Sequence, residues 1–263
     1  MKKAIEQQYG FTLIELMVAM TIGLLLLGGV ITILSSSHQT YRVNDALSRL
    51  QENARYAFQL LSRDIRMAGY LGCVGDGVPI VNTLNNPSDF LWNLGMPIEG
   101  FEATSSSAWT PALPSGTIPS PLGGRDIITI RGVDGTDVKV IQHPGGNPPG
   151  SADLKVTVGS GLQNDDIVLV TDCLAAAVFQ ITNVNTSSGQ DNVVHNIGNA
   201  GANTPGNFTK ALGKEFTGGE LIKISTRSYF IRMNSNPTPF PSLYRRVGAS
   251  NAEELVEGVE DMQ

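Results

Sequence analysis

The stretch Phe11–Leu34 reads FTLIELMVAMTIGLLLLGGVITIL and holds one charge, Glu15. As a helix it spans roughly 36 Å, more than the roughly 30 Å hydrocarbon core of a bilayer. It has no soluble partner, so it belongs in lipid or in the core of a filament. Lys2 and Lys3 precede it, and cationic flanks stay on the cytoplasmic side. The bulk of the chain is therefore expected in the periplasm or outside the cell. A secretory signal peptide and a plain signal anchor are the rival readings. A signal peptide has an apolar region of about 7–15 residues ending in small residues. Ser35, Ser36 and Ser37 imitate such an end, but the run is too long. Neither rival accounts for an acid five residues into the apolar run.

Glu15 is the informative residue. A carboxylate at membrane depth costs a few kcal/mol on insertion scales and normally has a partner. The plain alternative is an acid tolerated near the interface. Gly10, Phe11, Thr12, Leu13, Ile14 and Glu15 read G-F-T-L-I-E, which resembles the processing signal of type IV pilins and pseudopilins. The resemblance implies cleavage between Gly10 and Phe11 by a prepilin peptidase and N-methylation of Phe11. It also implies that Glu15 pairs with the terminal ammonium of a neighbouring subunit. Buried alone, each charge costs several kcal/mol, and pairing offsets much of that. Glu15 is thus expected to select a neighbour at one axial offset.

The helical pattern continues past the apolar run. Tyr41–Met67 lacks Gly and Pro, and Val43, Leu47, Leu50, Ala54, Ala57, Leu61 and Ile65 recur at helical spacing. Gly69 is a helix stop. One helix from Phe11 to about Ala68, roughly 87 Å long, is predicted. Its stripe over 43–65 is read as ordinary core packing against the domain that follows. Gly28 and Gly29 are read as close-packing positions or as a local weakening.

The remainder reads as a β domain. The 29 Gly and 14 Pro of the 263 residues suit loops more than helices. Residues 73–124 are expected as long loops with short strands. Strands are expected at Asp126–Arg131, Asp137–Gln142, Leu154–Val158, Ile167–Thr171, Ala177–Val184, Glu220–Met233 and Leu243–Val247. Residues 185–219, polar and Gly-rich, are expected as one long loop. The result is an α+β fold, a long N-terminal helix packed on a mainly antiparallel sheet. Its regions are a leader (1–10), a transmembrane or filament-core helix (11–34), the soluble half of that helix (35–68) and a β-rich exported domain (69–263). Cys73 and Cys173 are either two buried thiols or one bridge. In an exported domain the bridge is expected, closing a loop of about 100 residues worth roughly 4–5 kcal/mol.

Further motifs narrow the resemblance. Arg63–Tyr70 (RDIRMAGY) precedes Gly72-Cys73, and Val170-Thr171-Asp172-Cys173 precedes Ala177-Val178-Phe179. Tyr229-Phe230-Ile231, Ser242–Arg246 (SLYRR) and Glu254–Val259 (ELVEGV) follow in order. Most of the chain is similar to the PilW-like minor pilins of type IV pilus assembly. Members of that family usually run on past the last of these motifs into further strands, whereas this sequence ends at Gln263.

No catalytic constellation stands out. His38, His143 and His195 are scattered, and none belongs to a zinc-type spacing. There is no G-x-S-x-G, and Gly213-Lys214 lacks the rest of a phosphate loop. Asp165 and Asp166, like Asp134 and Asp137, read as turn acids, with calcium a remote alternative. Trp92, Phe101 and Trp109 read as packing anchors or, failing that, a contact patch. The net charge of −6 disfavours a broad nucleic-acid face, and Arg245 and Arg246 are too few to make one.

The reading is a non-catalytic subunit without cofactor or metal, a minor pilin that primes or caps the pilus. Its expected partners are other minor pilins, the major pilin, the prepilin peptidase/N-methyltransferase, the inner-membrane assembly platform and the bilayer. No nucleic acid is expected. The expected location is the bacterial inner membrane, single-pass with a cytoplasmic N-terminus, and then the pilus, at its tip. The alternatives are a minor pseudopilin of type II secretion, or a tip adhesin or DNA-uptake subunit. An anchored exported enzyme is the third class, and it lacks a convergent set of ionisable residues.

Overall fold

The computed structural model describes residues 10–75, 77–135, 138–146, 150–198, 201 and 204–263. Lys2, Lys3, most of the expected leader and Asp137 lie outside the described residues. The chain divides into two units, Met1–Ala54 and Arg55–Gln263.

One helix, α1 (Leu13–Arg66), carries the apolar run and the stripe beyond it. Its interior has no proline. Arg63 and Arg66 lie in its last turn, where cations oppose the negative end of the helix dipole. The helix ends two residues before the expected Ala68. Gly69 then takes φ +69, and its N–H donates to the Arg131 carbonyl at 2.9 Å. A Cβ on Gly69 would also meet the Pro97 ring at 2.9 Å, so both the backbone conformation and the space call for glycine.

Within the second unit, part of the stripe is covered by the sheet. Ala57, Leu60 and Leu61 pack against Ile130, Tyr229, Ile231, Leu243 and Val256. Val43, Leu47 and Leu50, which belong to the first unit, are 50–61% exposed. Spacing identifies the apolar face of a helix but not what covers it.

Among the described residues the β domain has thirteen strands: β1 (Ile80–Asn82), β2 (Ile98–Ala103), β3 (Trp109–Thr110), β4 (Ile127–Val133), β5 (Val138–Gln142), β6 (Asp153–Thr157), β7 (Ile167–Thr171), β8 (Ala176–Gln180), β9 (Asn183–Ser187), β10 (Gln190–Val194), β11 (Glu220–Met233), β12 (Pro241–Val247) and β13 (Glu253–Glu257). The class is α+β. The main path runs β1-β8-β7-β11-β5-β6-β10-β9. Every pair is antiparallel except β1 with β8. The long β11 is the organiser. Its first half pairs β7 and its second half pairs β12, while β4 pairs it on the way. Its interior positions are nearly all buried, as in a strand covered on both faces.

Two expectations about the domain are corrected. Residues 185–219 are not one loop, because β9 and β10 form a hairpin with full register from Asn183↔Val194 to Ser187↔Gln190. Ser188 (φ 56) and Gly189 (φ 74) both sit in the left-handed region that a tight two-residue hairpin turn requires. The Asn, Ser and Gln side chains that suggested a loop face outward, while Val193 is fully buried. Likewise Asn183 and Val184 belong to β9 rather than to the strand before it.

Cys73 and Cys173 are joined, with Cα atoms 5.1 Å apart across a sequence separation of 100. Cys73 follows the helix and Cys173 sits in the β7–β8 turn, so the bond staples the helix exit to the sheet.

Candidate functional site

Gly10, Phe11 and Thr12 precede the helix, and all three are exposed, Phe11 to 88%. The Gly10–Phe11 peptide bond thus lies in non-helical, accessible backbone, the form a peptidase engages. Thr12 is the N-cap. Its hydroxyl accepts the Glu15 N–H at 3.3 Å, and Glu15 Oε2 in return accepts the Thr12 N–H at 3.0 Å. The Thr12 hydroxyl also donates to that same oxygen at 2.9 Å. Two N–H groups that the helix start leaves open are satisfied reciprocally.

This capping box was missed in reading the sequence, although T-L-I-E is its S/T-x-x-E signature. It revises the account of Glu15, which is partnered within its own chain. Both bonds use Oε2, and a carboxylate offers about four lone-pair sites. An ammonium can therefore join the carboxylate without breaking the box. The helix N-terminus adds its own attraction for negative charge.

Behind the cap, the helix exposes its apolar side chains. Every large one from Leu13 to Leu34 is at least 52% exposed. The best window reaches a mean hydropathy of 2.4. By length and composition it can cross a membrane, and it is compatible with a single-pass anchor.

Most of the other described residues singled out in the sequence have structural partners. Asp166 pairs with Lys223 at 2.7 Å, and Asp165 accepts from the Gln180 amide at 2.7 Å. Asp134 pairs with Arg227 at 2.7 Å. Burial raises the pKa of Asp134, but the Arg227 charge and hydrogen bond outweigh it and hold the carboxyl below its usual range. Trp92 and Phe101 are core residues, and the Trp109 indole donates to the Arg125 carbonyl at 2.9 Å. Arg245 pairs with Glu253, and Arg246 caps carbonyls at Gly116, Thr117, Ala249 and Ser250. His38 is exposed on α1, whereas His143 and His195 are buried side by side. Among the described residues, no three His, Cys, Asp or Glu side chains converge as a metal would require.

Two polar clusters were not anticipated. Asp64, in the last turns of α1, is 8% exposed and accepts the Tyr229 hydroxyl at 2.5 Å, with Arg227 Nε at 3.6 Å. Burial, then Asp64, push the Tyr229 phenol above its usual range. A Cβ on Gly132 would stand 2.6 Å from the Met67 carbonyl, so glycine is needed where the helix end crosses β4. Arg131, 1% exposed, binds the carbonyls of Phe90 and Met96 and pairs with Glu99 at 2.7 Å. Both clusters fasten segments to the sheet. No local pattern marks them, because their partners lie between 32 and 165 residues away.

A family model described as the prokaryotic N-terminal methylation motif matches residues 7–31. No curated protein and no solved structure matches the chain. The matched motif is type IV pilin-like and points to a structural subunit of pilin or pseudopilin type.

Proposed function

We propose that this chain is a minor pilin of the type IV pilus, made with a leader (1–10) that a prepilin peptidase/N-methyltransferase removes between Gly10 and Phe11 before methylating Phe11. Residues 11–34 hold it in the inner membrane with the domain 69–263 on the periplasmic side. It then joins other minor pilins and the major pilin on the assembly platform, priming the filament or capping it at the tip. The reading rests above all on one observation. G-F-T-L-I-E stands in accessible backbone at the head of a long, exposed apolar helix, within the matched stretch 7–31.

Glu15 gives the assembly step a physical basis. Moving a carboxylate into an apolar environment is costly unless it is hydrogen-bonded and neutralised. The Thr12 bonds meet part of that requirement and leave the charge unbalanced. The methylated ammonium of a neighbour's Phe11 supplies the balance at one axial offset only. Exposed apolar helix faces supply the lateral contact.

The test is the N-terminal mass of the protein from cells with and without the prepilin peptidase. The expected result is a chain starting at methylated Phe11, lost when the peptidase is absent. An intact Met1 start in wild-type cells, or a cut near Ser37, overturns the proposal.

A further inference from the structure

His143 follows β5 and His195 follows β10, and they are 4% and 0% exposed. Their rings meet edge-on with centroids 6.1 Å apart. His195 lies against Phe179 of β8 at 4.8 Å, and His143 stacks on Phe216 at 6.4 Å. Phe179, Phe216 and Leu212 belong to the core between β5, β6, β7 and β8. The two histidines therefore stand where the segment before β11 closes over that core.

The hydrogen bond at the His143 ring requires its neutral state. The Phe216 N–H donates to the His143 ring at Nδ1, at 3.3 Å, and the backbone N–H of His143 donates to the Thr217 hydroxyl at 3.0 Å, which ties the same segment to β5. His143 Nδ1 is thus an acceptor. A proton placed there faces the Phe216 N–H, and that bond is lost. Among the described residues neither ring nitrogen of His195 has a well-formed hydrogen bond, and the Lys210 backbone is the one nearby hydrogen-bonding group that favours its charged form. A charged His195 would hold two buried N–H groups with the Lys210 backbone to meet one of them at most.

The surrounding charges do not reverse this. Glu215 and Asp153 favour a charge on His143, and burial outweighs them, so its pKa is lowered. For His195, burial and then His143 outweigh the Lys210 backbone and Asp153, the Lys210 ammonium opposes charge as well, and the pKa falls to about 4. Each of these neighbours has another partner. Asp153 accepts from Ser151, Glu215 accepts from Thr217, and Lys210 donates to the Gly150 carbonyl.

We propose that the His143–His195 pair is an acid-sensitive latch: neutral, it clamps the segment Lys210–Thr217 over the core, and charged, it releases that segment while the disulfide-bonded main sheet stays folded. Release would uncover Leu212 and Phe216. The sign follows from linkage. A released histidine titrates near 6.5 and the clamped ones lower, so the open form binds more protons in between. The latch is fully closed above about pH 6.5. It weakens as pH falls, and the His195 contribution is spent near pH 4.

The test is amide exchange of the full chain in detergent micelles at pH 7 and pH 4.5, corrected for intrinsic rates. Protection of residues 210–219 is expected to fall by about 10- to 100-fold, with β4, β7 and β11 unchanged. His195→Phe and His143→Gln, one unable to charge and the other still able to accept from Phe216, should each retain more of that protection at pH 4.5. Unchanged wild-type protection, uniform loss across the sheet, or equal loss in both variants overturns the proposal. If a variant does not fold at pH 7, wild-type histidine ring shifts decide. Titration of His195 below pH 5 supports the latch, and titration near 6.5 overturns it.

Discussion

The units Met1–Ala54 and Arg55–Gln263 handle apolar residues in opposite ways. From Leu13 to Leu34 the helix leaves its large apolar side chains in the open, and Val43, Leu47 and Leu50 add to them. In the β domain Leu84, Ile130, Leu154, Leu169, Phe179 and Phe230 show no exposed surface at all. A helix satisfies its backbone from within, so it can stand without a core. A strand must find partners, so the domain closes on itself. The first unit is built to receive a surrounding, lipid or other helices, and the second brings its own.

That contrast can be broken at several points. The largest effect is expected from Gly10→Val, which should abolish the mature N-terminus altogether in a mass spectrum while leaving the thermal unfolding of the domain unchanged. A domain melting several degrees lower would mean that the two units are not independent in stability. Reducing the Cys73–Cys173 bond, or replacing both residues by serine, should cost the domain about 4–5 kcal/mol in a guanidinium titration. A loss under 1 kcal/mol would show that the helix exit is held by other contacts.

Arg131→Ala strands Glu99 and two loop carbonyls, and about 3–5 kcal/mol is expected. Asp64→Ala leaves the buried Tyr229 hydroxyl and part of Arg227 unpaired, for about 1–3 kcal/mol. The smallest effect sharpens the comparison most. Leu169→Ala in the core should cost about 2–5 kcal/mol, whereas Leu47→Ala should stay within about 0.5 kcal/mol of wild type. Similar losses for the two leucines would mean that the stripe at Val43–Leu50 is covered in solution.

Much of this was readable along the chain. The apolar run, the Gly69 stop and strands such as Ile167–Thr171 and Glu220–Met233 follow from period, composition and turn residues. The motif Gly10–Glu15 was readable too, and its T-x-x-E cap is carried by the same acid that marks the processing signal. The β9–β10 hairpin was missed because outward Asn, Gln and Ser outnumber its inward valines. The turn at Ser188-Gly189 was the available signal.

What the sequence determined by itself is local. A helix that needs an apolar surrounding, a helix start capped by Thr12 and Glu15, and strands that alternate or run apolar all arise from neighbours within a few residues. The tertiary structure alone decided which groups meet at long range: Asp64 with Tyr229, Arg131 with Glu99 and the loop carbonyls, and His143 with His195. A polar residue's type says that it needs a partner when buried, but which partner it finds depends on how distant strands are laid side by side.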